Sequence, residues 1–438
     1  MVQHSPTRLA CVCGLHLPLP TPPGQPGLRL PAALVVSAAR HTTLASLARR
    51  LVEAPAPAHG ADTLRRRPWT AAAWRAPLRH CIVADVVAYA HQSDQWPLSV
   101  RLDDSGGDKD KSPRHLAAVA DHQEPTKSQG QTTPYSPKGA VHGEGRCALG
   151  ARSYAYDGRL SLREKTGRRL QRARAPEPRR HLRQQTPLAP ARLAAFQPRW
   201  PSGVPVDVLF DRWEAAKRLR TCCRRQGWQG VGAITAHRQL DAPQRSQWPQ
   251  AHRHQRYPRV QRAATDGRPR ASLVRPLQGR RHSLSFAVCV LSSKRPPRDK
   301  PPQYCLGTDL SWSAQPILSI SPKRWPSEVD NFYVKQPLGW ADLRGQSDEA
   351  PEKWGAMVFL ALVFLQWRLP HAHAKEHSHS LADVVRPHRY DHARPLLETT
   401  GQEAAPLRDS FPVLKRFLCQ PTSDGTKRQR PVSEREAP

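Results

Sequence analysis

A short stretch in the last third of the chain places one acidic residue between two basic ones at helical spacing. Arg324, Glu328 and Lys335 stand at relative positions 0, 4 and 11, and an α-helix of about 3.6 residues per turn puts all three on one face. A carboxylate held there can bind a divalent cation, while Arg and Lys bind the oxygens of a phosphate. These are the groups that phosphoryl transfer needs, although a solvated helix face with a chance ion pair is the commoner origin of such spacing.

A second acidic residue stands where a short apolar segment ends. Pro205–Phe210 has the composition of a buried strand, and Asp211 follows it directly. Apolar residues then recur at helical spacing over Trp213–Cys223, and Gly227 has the position of a helix C′ residue. The pattern predicts a strand, an acid and a helix in succession.

A pair of acids ends the extended run 97–102. Asp103 and Asp104 precede Ser105, and a strand that ends in Asp-Asp-Ser presents a carboxylate at the edge of a sheet. We expect Asp104, the acid next to the hydroxyl residue, to be the functional one, with Asp103 as the alternative. On local sequence alone, Asp-Asp-Ser before two glycines would be more typical of a turn.

The spacing of Arg324, Glu328 and Lys335 resembles the Y-R-E-K signature of the DDE transposases encoded by bacterial insertion sequences. That signature is a tyrosine, two residues, an arginine, three residues, a glutamate, six residues and a lysine, and this chain meets three of its four positions. The likeness includes the segments 324–326, 329–331 and 365–369, and Leu209–Trp213 resembles the segment of the second catalytic acid. It covers most of residues 30–420.

The resemblance implies a catalytic triad and its chemistry. Asp104, Asp211 and Glu328 would bind two Mg²⁺ ions about 3.5–4 Å apart, for cleavage of DNA strands at insertion-sequence ends and transfer of those strands to a target. Arg324 and Lys335 would bind phosphates of the transposon ends. The partners implied are double-stranded DNA, as ends and as target, and a second copy of the chain in a homodimer on the DNA ends.

The chain departs from the signature at the tyrosine. Ser321 occupies that position, and Pro322 follows it. Serine is too short to reach the DNA phosphate that the aromatic hydroxyl would help to hold, and proline disfavours helical backbone at the preceding residue. We therefore expect a degenerate copy with intact DNA binding and weak or absent cleavage.

The charge of the chain favours a nucleic-acid partner whatever its chemistry. Lys and Arg number 68 against 36 Asp and Glu, for a net charge of +32 and a pI near 10.8, and a basic surface releases counterions when it covers phosphates. Hydrophobic residues make up only 38% and prolines number 45, so part of the chain is expected to be irregular or disordered. The alternative function is accordingly a non-enzymatic, partly disordered basic protein that binds nucleic acid.

Cysteine spacing and hydropathy indicate a cytoplasmic protein with no membrane contact, and the resemblance implies that the cell is bacterial. The nine cysteines lack paired Cys-x-x-Cys spacing, so neither a zinc site nor a disulfide framework is predicted, and a reducing cytosol is the simplest setting. The longest apolar run, Met357–Leu365, has nine residues, well short of the roughly 20 that a membrane helix needs. It predicts a buried helix.

The predicted fold class is α/β, with an RNase H-like mixed sheet and flanking helices, a β-rich insertion and a helical N-terminal module. The 117 positions between Asp211 and Glu328 exceed what a strand and a helix need, which is why an insertion is expected. The predicted divisions are an irregular N-terminus at 1–30, a helical module at 31–95, the core in two parts at 96–256 and 304–370, the insertion at 257–303, and a C-terminal helical region with a disordered tail at 371–438. DNA binding and simple packing on the core are the two alternative roles of the helical module.

Local composition predicts the character of three further segments. Apolar residues at helical spacing indicate a helix within 32–52. The segment 105–150, rich in Gly, Lys, Ser and Pro, is typical of a loop. The segment 168–203, dense in Arg and Pro, is typical of a solvated basic linker, with contact to the DNA backbone as the functional alternative.

Strand patterns predict the parts of the sheet that come after Asp211. Gly230–Ile234 is interpreted as the next core strand rather than a nucleotide-binding loop, because it lacks a third glycine and a following helix. Strands of the insertion are predicted at Tyr257–Val260, Leu273–Val274 and Leu284–Leu291. The irregularly spaced histidines of the C-terminal region are expected to lie on solvated surface: His371, His373, His377, His379, His388 and His392.

Overall fold

The structure of the chain, a computed structural model, describes somewhat under half of its residues. They are 62, 64, 69–93, 97–108, 119–121, 138–150, 152–162, 183–196, 200–201, 204–211, 217–234, 258–263, 269–280, 287–294, 303–340, 349–376 and 380–385. The strands in these ranges form one mixed sheet of eleven strands.

The strands and the principal helices occupy the following ranges of the chain. The strands are β1 Leu98–Asp108, β2 Val119–Asp121, β3 Lys138–Leu149, β4 Arg152–Leu162, β5 Arg183–Gln184, β6 Val206–Phe210, β7 Gln229–Ile234, β8 Arg259–Ala263, β9 Pro269–Arg280, β10 Ala287–Lys294 and β11 Gln303–Gly307. The helices are α1 Ala71–Ser93, α2 Gln185–Phe196, α3 Lys217–Arg225, α4 Ala314–Ile320, α5 Pro326–Lys335 and α6 Glu349–Glu376, with a 3₁₀ turn at Ser321–Arg324 between α4 and α5.

The first strand stands in the interior of the sheet. The order of the strands is β5-β4-β3-β1-β6-β7-β11-β10-β9-β8, and β2 pairs with β3. β1 is antiparallel to β3 and parallel to β6, and β6 is parallel to β7. A parallel pair needs a crossover connection, and α3 lies in the connection between β6 and β7. β1 and β6 therefore run in the same direction, and β1 continues for six residues beyond Leu102, the partner of the last residue of β6.

The two faces of β1 differ in chemistry. Leu98, Val100 and Leu102 are buried in the main apolar core. The alternate residues, Arg101 and Asp103, are buried polar groups. Because successive side chains of a strand point to opposite faces, β1 presents apolar groups to one side of the sheet and charged groups to the other.

The helix after β6 ends as its sequence predicts. Gly227 has a φ of 67°, a conformation that costs glycine little. Its N–H donates to the carbonyl oxygen of Arg224 at 3.1 Å, and the N–H of Trp228 donates to that of Cys223 at 2.9 Å. This pair of bonds is the Schellman motif, which satisfies the last carbonyls of a helix. The predicted strand at 205–210, the helix after it and the strand at 230–234 are confirmed.

A long helix covers one face of the sheet. Residues 357–365 of α6 are buried throughout, which confirms the buried helix predicted there, and α6 packs against β4 and α1. A smaller apolar cluster on the sheet joins Leu209 and Val231 to α4. Among the helices that the structure describes, none combines the length and apolarity needed to cross a bilayer.

The loop predicted at 105–150 is wrong over much of its length. β1 continues to Asp108, and β3 occupies Lys138–Leu149, with the two paired over ten residues. Asp104 therefore lies inside a strand and not at its end. The glycines misled the prediction because they make room here: a side chain at Gly145 would run into the ring of Tyr156. Pairing with a strand distant in sequence outweighs the weak strand preference of glycine.

The solvated linker predicted at 168–203 is also wrong where the structure describes it. α2 spans Gln185–Phe196, and Arg192, Leu193 and Phe196 on it are buried. Phe196 stacks on Trp200, with the ring centroids 5.6 Å apart. Apolar residues between the arginines pack this segment onto the sheet, a contact that charge density alone does not reveal.

The predicted insertion contains strands that extend the same sheet. β8, β9 and β10 overlap the three strands predicted there and pair in antiparallel order, and β10 joins β7 through β11. The boundaries of the predicted divisions stay predictions. The N-terminal segment 1–30, the helix within 32–52, the histidines from His377 onwards and the end of the tail lie outside the described residues.

Candidate active site

The end of β6 and the middle of its parallel neighbour β1 form one side of the candidate site. The last pair of the β1–β6 ladder is Leu102 with Phe210. Asp103 and Asp104 therefore come next on β1 at the level where Asp211 comes after β6. The pairing of these strands brings both acids of β1 level with Asp211, which is more than 100 positions away in the chain. Because successive side chains of a strand alternate between its faces, Asp103 and Asp104 leave β1 on opposite sides.

Asp104 lies close enough to Asp211 for the two charges to act on each other. Burial raises the pKa of Asp104, and the charge of Asp211 raises it further, whereas Arg192 and Lys335 lower it. Two neighbouring carboxylates repel each other when both are ionised. A divalent cation relieves that repulsion, and carboxylate oxygens are the ligands that Mg²⁺ prefers. Asp104 and Asp211 are therefore candidate ligands for one metal ion.

Asp103 is held by protein donors. Its Oδ1 accepts the backbone N–H of Asp104 at 3.0 Å, and its Oδ2 lies 3.4 Å from Nδ2 of Asn331 and 3.6 Å from Nη1 of Arg324. Burial raises the pKa of Asp103 to about 7, opposed by the charge of Arg324. Asp103 therefore connects β1 to the segment that carries the third acid.

The other side of the site is the 3₁₀ turn and α5. α5 begins at Pro326, and proline suits a first helical position because its missing N–H would have no intrahelical partner there. The helix packs against β1 and α6. Its buried residues are Ser327, Asp330, Asn331, Tyr333 and Val334. Glu328, whose side chain is 39% exposed, lies at the margin of this contact.

Arg324 stands among three acids. Its Nη2 donates to Oε1 of Glu328 at 2.5 Å, and its Nη1 faces Asp103. Burial lowers the pKa of Arg324, but the charges of Asp103, Asp211 and Glu328 raise it above its ordinary value. The predicted helical spacing of Arg324 and Glu328 holds, although Arg324 itself belongs to the 3₁₀ turn. Lys335 ends α5, and its charge reaches Asp104.

The backbone at Ser321 differs from its prediction. Ser321 has helical dihedral angles, φ −52° and ψ −43°, so Pro322 does not exclude helical backbone there. The chain accommodates the proline by tightening into the 3₁₀ turn, in which Pro322 stands near the start. The hydroxyl of Ser321 lies 3.5 Å from Sγ of Cys305 on β11.

The placement of the acids sets a limit on metal binding. Within the described residues, no group of three or more His, Cys, Asp or Glu side chains is arranged to hold a metal ion. Asp104 and Asp211 adjoin each other, while Glu328 is engaged by Arg324. For Glu328 to become a third ligand, it has to exchange its ion pair with Arg324 for the metal.

A buried polar network behind the site was not predicted. Arg146 on β3 contacts Glu144 of the same strand and Asp330 and Asn331 of α5. Burial raises the pKa of both Glu144 and Asp330, and the charge of Arg146 lowers both. Asp330 and Asn331 lie in a segment that carries the transposase resemblance, but Arg146 lies in the segment predicted as a loop. No pattern in the sequence indicates that Arg146 contacts Asp330 and Asn331.

Comparisons with known proteins give structural similarity but no sequence match. No protein-family model matches the chain, and no curated protein matches its sequence. The chain is similar to a cryo-EM structure of the piggyBac transposase synaptic complex with hairpin DNA. The TM-score is 0.43 and the sequence identity 12%, over 92% of this chain and 76% of that chain.

Proposed function

We propose that this chain is a DDE transposase of the insertion-sequence type, which cleaves and transfers DNA strands with divalent metal ions. One observation supports the proposal: the charges of Asp104 on β1 and Asp211 after β6 act on each other, and Asp211 also acts on Arg324, which pairs with Glu328. The charges of Asp211 and Glu328 both act on Arg324, and the charge of Asp211 also acts on Asp104. The three acids follow one another along the chain in the order of the signature.

The order of the central strands supports an RNase H-like core. In sequence order these strands are β1, β3, β4, β6 and β7, and across the sheet they stand as β4-β3-β1-β6-β7. The first three are antiparallel neighbours, and the last two run parallel to β1. This arrangement supports catalytic acids on β1 and after β6, with the third on a helix packed against β1, as the resemblance implies.

The residues of the site have distinct proposed roles. Asp104, Asp211 and Glu328 would hold two Mg²⁺ ions, which when bound activate water or a 3′-hydroxyl and stabilise the leaving oxygen. Arg324 would release Glu328 and bind a phosphate oxygen with its planar fork of donors. Lys335 would bind a second phosphate as a point charge.

The charge of the chain supports double-stranded DNA as the partner. At +32, the protein gains affinity from each phosphate it neutralises. Joining two transposon ends requires two copies of the site, so we propose a homodimer on the DNA ends, acting on chromosomal or plasmid DNA in the bacterial cytoplasm. Ser321 in place of the tyrosine supports weak activity of this copy, because its short side chain contacts Cys305.

The direct test is cleavage of DNA that carries the terminal inverted repeats flanking the gene. The purified protein should nick these ends weakly in Mg²⁺ and not in EDTA, and its Ser321→Tyr variant should nick them more strongly. Asp211→Asn should abolish nicking in both backgrounds while end binding persists. The control substrate has the same length with scrambled ends. Nicking that is equal in Asp211→Asn and wild type would overturn the assignment of the triad.

A second candidate function is a basic nucleic-acid-binding protein without catalysis. It is favoured by the absence, in the part of the chain that the structure describes, of three acids arranged around one metal position. It predicts tight, salt-sensitive DNA binding that no change at the three acids reduces. Cleavage of the ends by a Ser321→Tyr variant would exclude it.

A further inference from the structure

A fully buried arginine links the sheet to the helix that carries Glu328. Arg146, 1% exposed, donates from Nη1 to Oδ2 of Asp330 at 2.6 Å and from Nη2 to Oδ1 of Asn331 at 3.0 Å. Its Nε and Nη2 both donate to Oε2 of Glu144. These four residues, Glu144, Arg146, Asp330 and Asn331, form the Arg146 clamp.

The clamp is tied to the rest of the core and to the site. Oδ2 of Asp330 also accepts Nε2 of Gln366 on α6 at 2.9 Å, and Oε1 of Gln366 accepts the backbone N–H of Ala155 on β4 at 3.0 Å. On the other side, Nδ2 of Asn331 lies 3.4 Å from Oδ2 of Asp103. The same carboxylate oxygen faces Arg324, the partner of Glu328. A continuous polar path therefore runs from β4 to the acids.

The outer face of α5 offers little to hold the helix in place. Trp325, Val329 and Phe332 are exposed, Trp325 at 63%. The buried apolar residues of α5, Tyr333 and Val334, lie near its end. Around Glu328 the inward-facing residues are polar, so the position of this part of the helix depends on hydrogen bonds more than on apolar packing.

The chemistry of the clamp favours a role in geometry over a role in stability. Burying an ion pair costs desolvation energy, and a well-packed apolar substitute is often as stable. A bidentate arginine instead fixes geometry, because its planar guanidinium group holds two hydrogen-bond partners at set positions at once. Here those partners are consecutive residues of the helix that begins two residues before Glu328.

We propose that Arg146 is a positioning residue of the cleavage site, an inference that rests on the proposed function. Through Asp330 it fixes α5 on the sheet, so that Glu328 and Arg324 stand level with Asp104 and Asp211. Through Asn331 it fixes the carboxylate of Asp103 against Arg324. Loss of the clamp displaces the third acid without removing any group that touches DNA or metal.

The test uses the full-length chain with two clamp variants and one matched control. Arg146→Lys keeps the positive charge but removes the planar guanidinium group that bonds several partners at once. Asn331→Leu removes the link to Asp103 and leaves Arg146 paired with Glu144 and Asp330, so it spares the buried charges. Ser327→Ala is the control, because Ser327 is as deeply buried on the same helix and its hydroxyl has no hydrogen-bond partner among the described residues.

Two measurements are read together. Single-turnover cleavage of transposon ends should slow on the order of 10-fold to 10²-fold in both clamp variants, with the concentration of DNA for half-maximal rate changed less than about 2-fold, since no DNA contact is lost. Hydrogen exchange of the amides of residues 324–335 should accelerate in both variants and stay at the wild-type rate in Ser327→Ala. Far-UV circular dichroism and thermal unfolding confirm that each variant is folded.

The outcomes separate the two proposals. Slower cleavage with faster exchange of α5 supports the clamp, and unchanged cleavage in folded Asn331→Leu overturns its positioning role. If neither the wild-type chain nor its Ser321→Tyr variant cuts the ends, the proposed function fails, and the hydrogen exchange of the α5 amides still decides whether the clamp positions the helix. If Arg146→Lys does not fold, the Asn331→Leu variant decides whether the clamp positions α5, through its cleavage rate and the hydrogen exchange of its amides at residues 324–335.

Discussion

The strand half of the candidate site and its helix half are held by different interactions. The strand half, at the level of Asp104 and Asp211, continues a ladder of backbone hydrogen bonds between β1 and β6. The helix half, the 3₁₀ turn with α5, is held through side chains, chiefly the Arg146 clamp and the contacts of Arg324. Hydrogen bonds between backbones persist when a side chain is substituted. A network of side chains is disrupted by the loss of a single one of them. The difference predicts where the site is robust and where it is fragile.

The largest expected effect is on the cleavage rate, and it should differ between Asp104 and its neighbour Asp103 on β1. Asp104→Asn and Glu328→Gln should each lower cleavage on the order of 10³-fold or more, because each removes a proposed metal ligand. Asp103→Asn should cost only about 10-fold, since an asparagine there can still accept from Asn331 and Asp104. Rates are measured with saturating DNA ends and Mg²⁺. Equal losses of cleavage rate on substitution of Asp103 and of Asp104 would contradict the assignment of Asp104 alone as the metal ligand on β1.

A gain of function tests the helix half. Ser321→Tyr should raise Mg²⁺-dependent cleavage by up to about 10²-fold, because the longer side chain can help hold the phosphate whose misplacement costs that much. Since Ser321 already has helical dihedral angles, Pro322→Gln should add little to it. Cleavage rates of wild type, Ser321→Tyr, Ser321→Phe and the Ser321→Tyr/Pro322→Gln double variant are compared. A gain that appears only in the double variant would show that the proline, and not the missing hydroxyl, limits the site.

The contribution of Lys335 to DNA binding should be modest and independent of sequence. Lys335→Ala should weaken binding uniformly across DNA sequences and reduce the slope of log affinity against log salt by about 1, as loss of one phosphate contact does. Lys335→Arg keeps the charge and is the control. The measurement is fluorescence anisotropy over a range of salt concentrations. An unchanged slope would place Lys335 away from the DNA.

The smallest expected effect concerns a carboxylate between the two halves. Burial raises the pKa of Asp207 on β6 to about 6, opposed by Lys323 of the 3₁₀ turn. Because the pKa is higher in the folded chain than in the unfolded chain, the folded state binds more protons between about pH 4 and 6, and Asp207 lowers stability as the pH rises through that window. Asp207→Asn should therefore stabilise the fold at pH 7.5 by roughly 1–3 kcal/mol.

Thermal unfolding of wild type and Asp207→Asn at pH 5 and pH 7.5 checks this prediction. The difference in stability between the two proteins should be larger at pH 7.5 than at pH 5. An equal difference at both values would mean that ionisation of Asp207 carries no energetic cost in the folded chain.

Local sequence pattern was enough to predict the elements that have a clear run of apolar residues or a clear helix-ending residue. The strand 205–210, the helix ended by Gly227 and the buried run 357–365 each result from side chains a few residues apart. The same holds for the pairing of Arg324 with Glu328, whose spacing of four residues is set by the helix itself. In these cases the interactions that decide the structure are local, so the order of residues is sufficient.

Glycine-rich sequence shows where local pattern fails. The segment around Gly145 has the composition of a loop, yet it forms most of β3, because β1 and β4 supply the hydrogen bonds on both sides. Composition measures the intrinsic preference of a segment, and in a central strand the partners outweigh that preference. The helical backbone at Ser321 belongs to the same class, since the tightened turn depends on the residues that come after Pro322.

The sequence by itself determined the charge of the chain, the spacing of its three acids and the elements that deliver two of them. Only the tertiary structure decided which groups stand together: Asp104 beside Asp211, Arg324 between Asp103 and Glu328, and Arg146 behind α5. The physical reason is that most of these contacts join residues more than 100 positions apart, through strand order and burial. A charged side chain is stable inside the protein only if the fold brings a partner to it, and no local pattern specifies that partner.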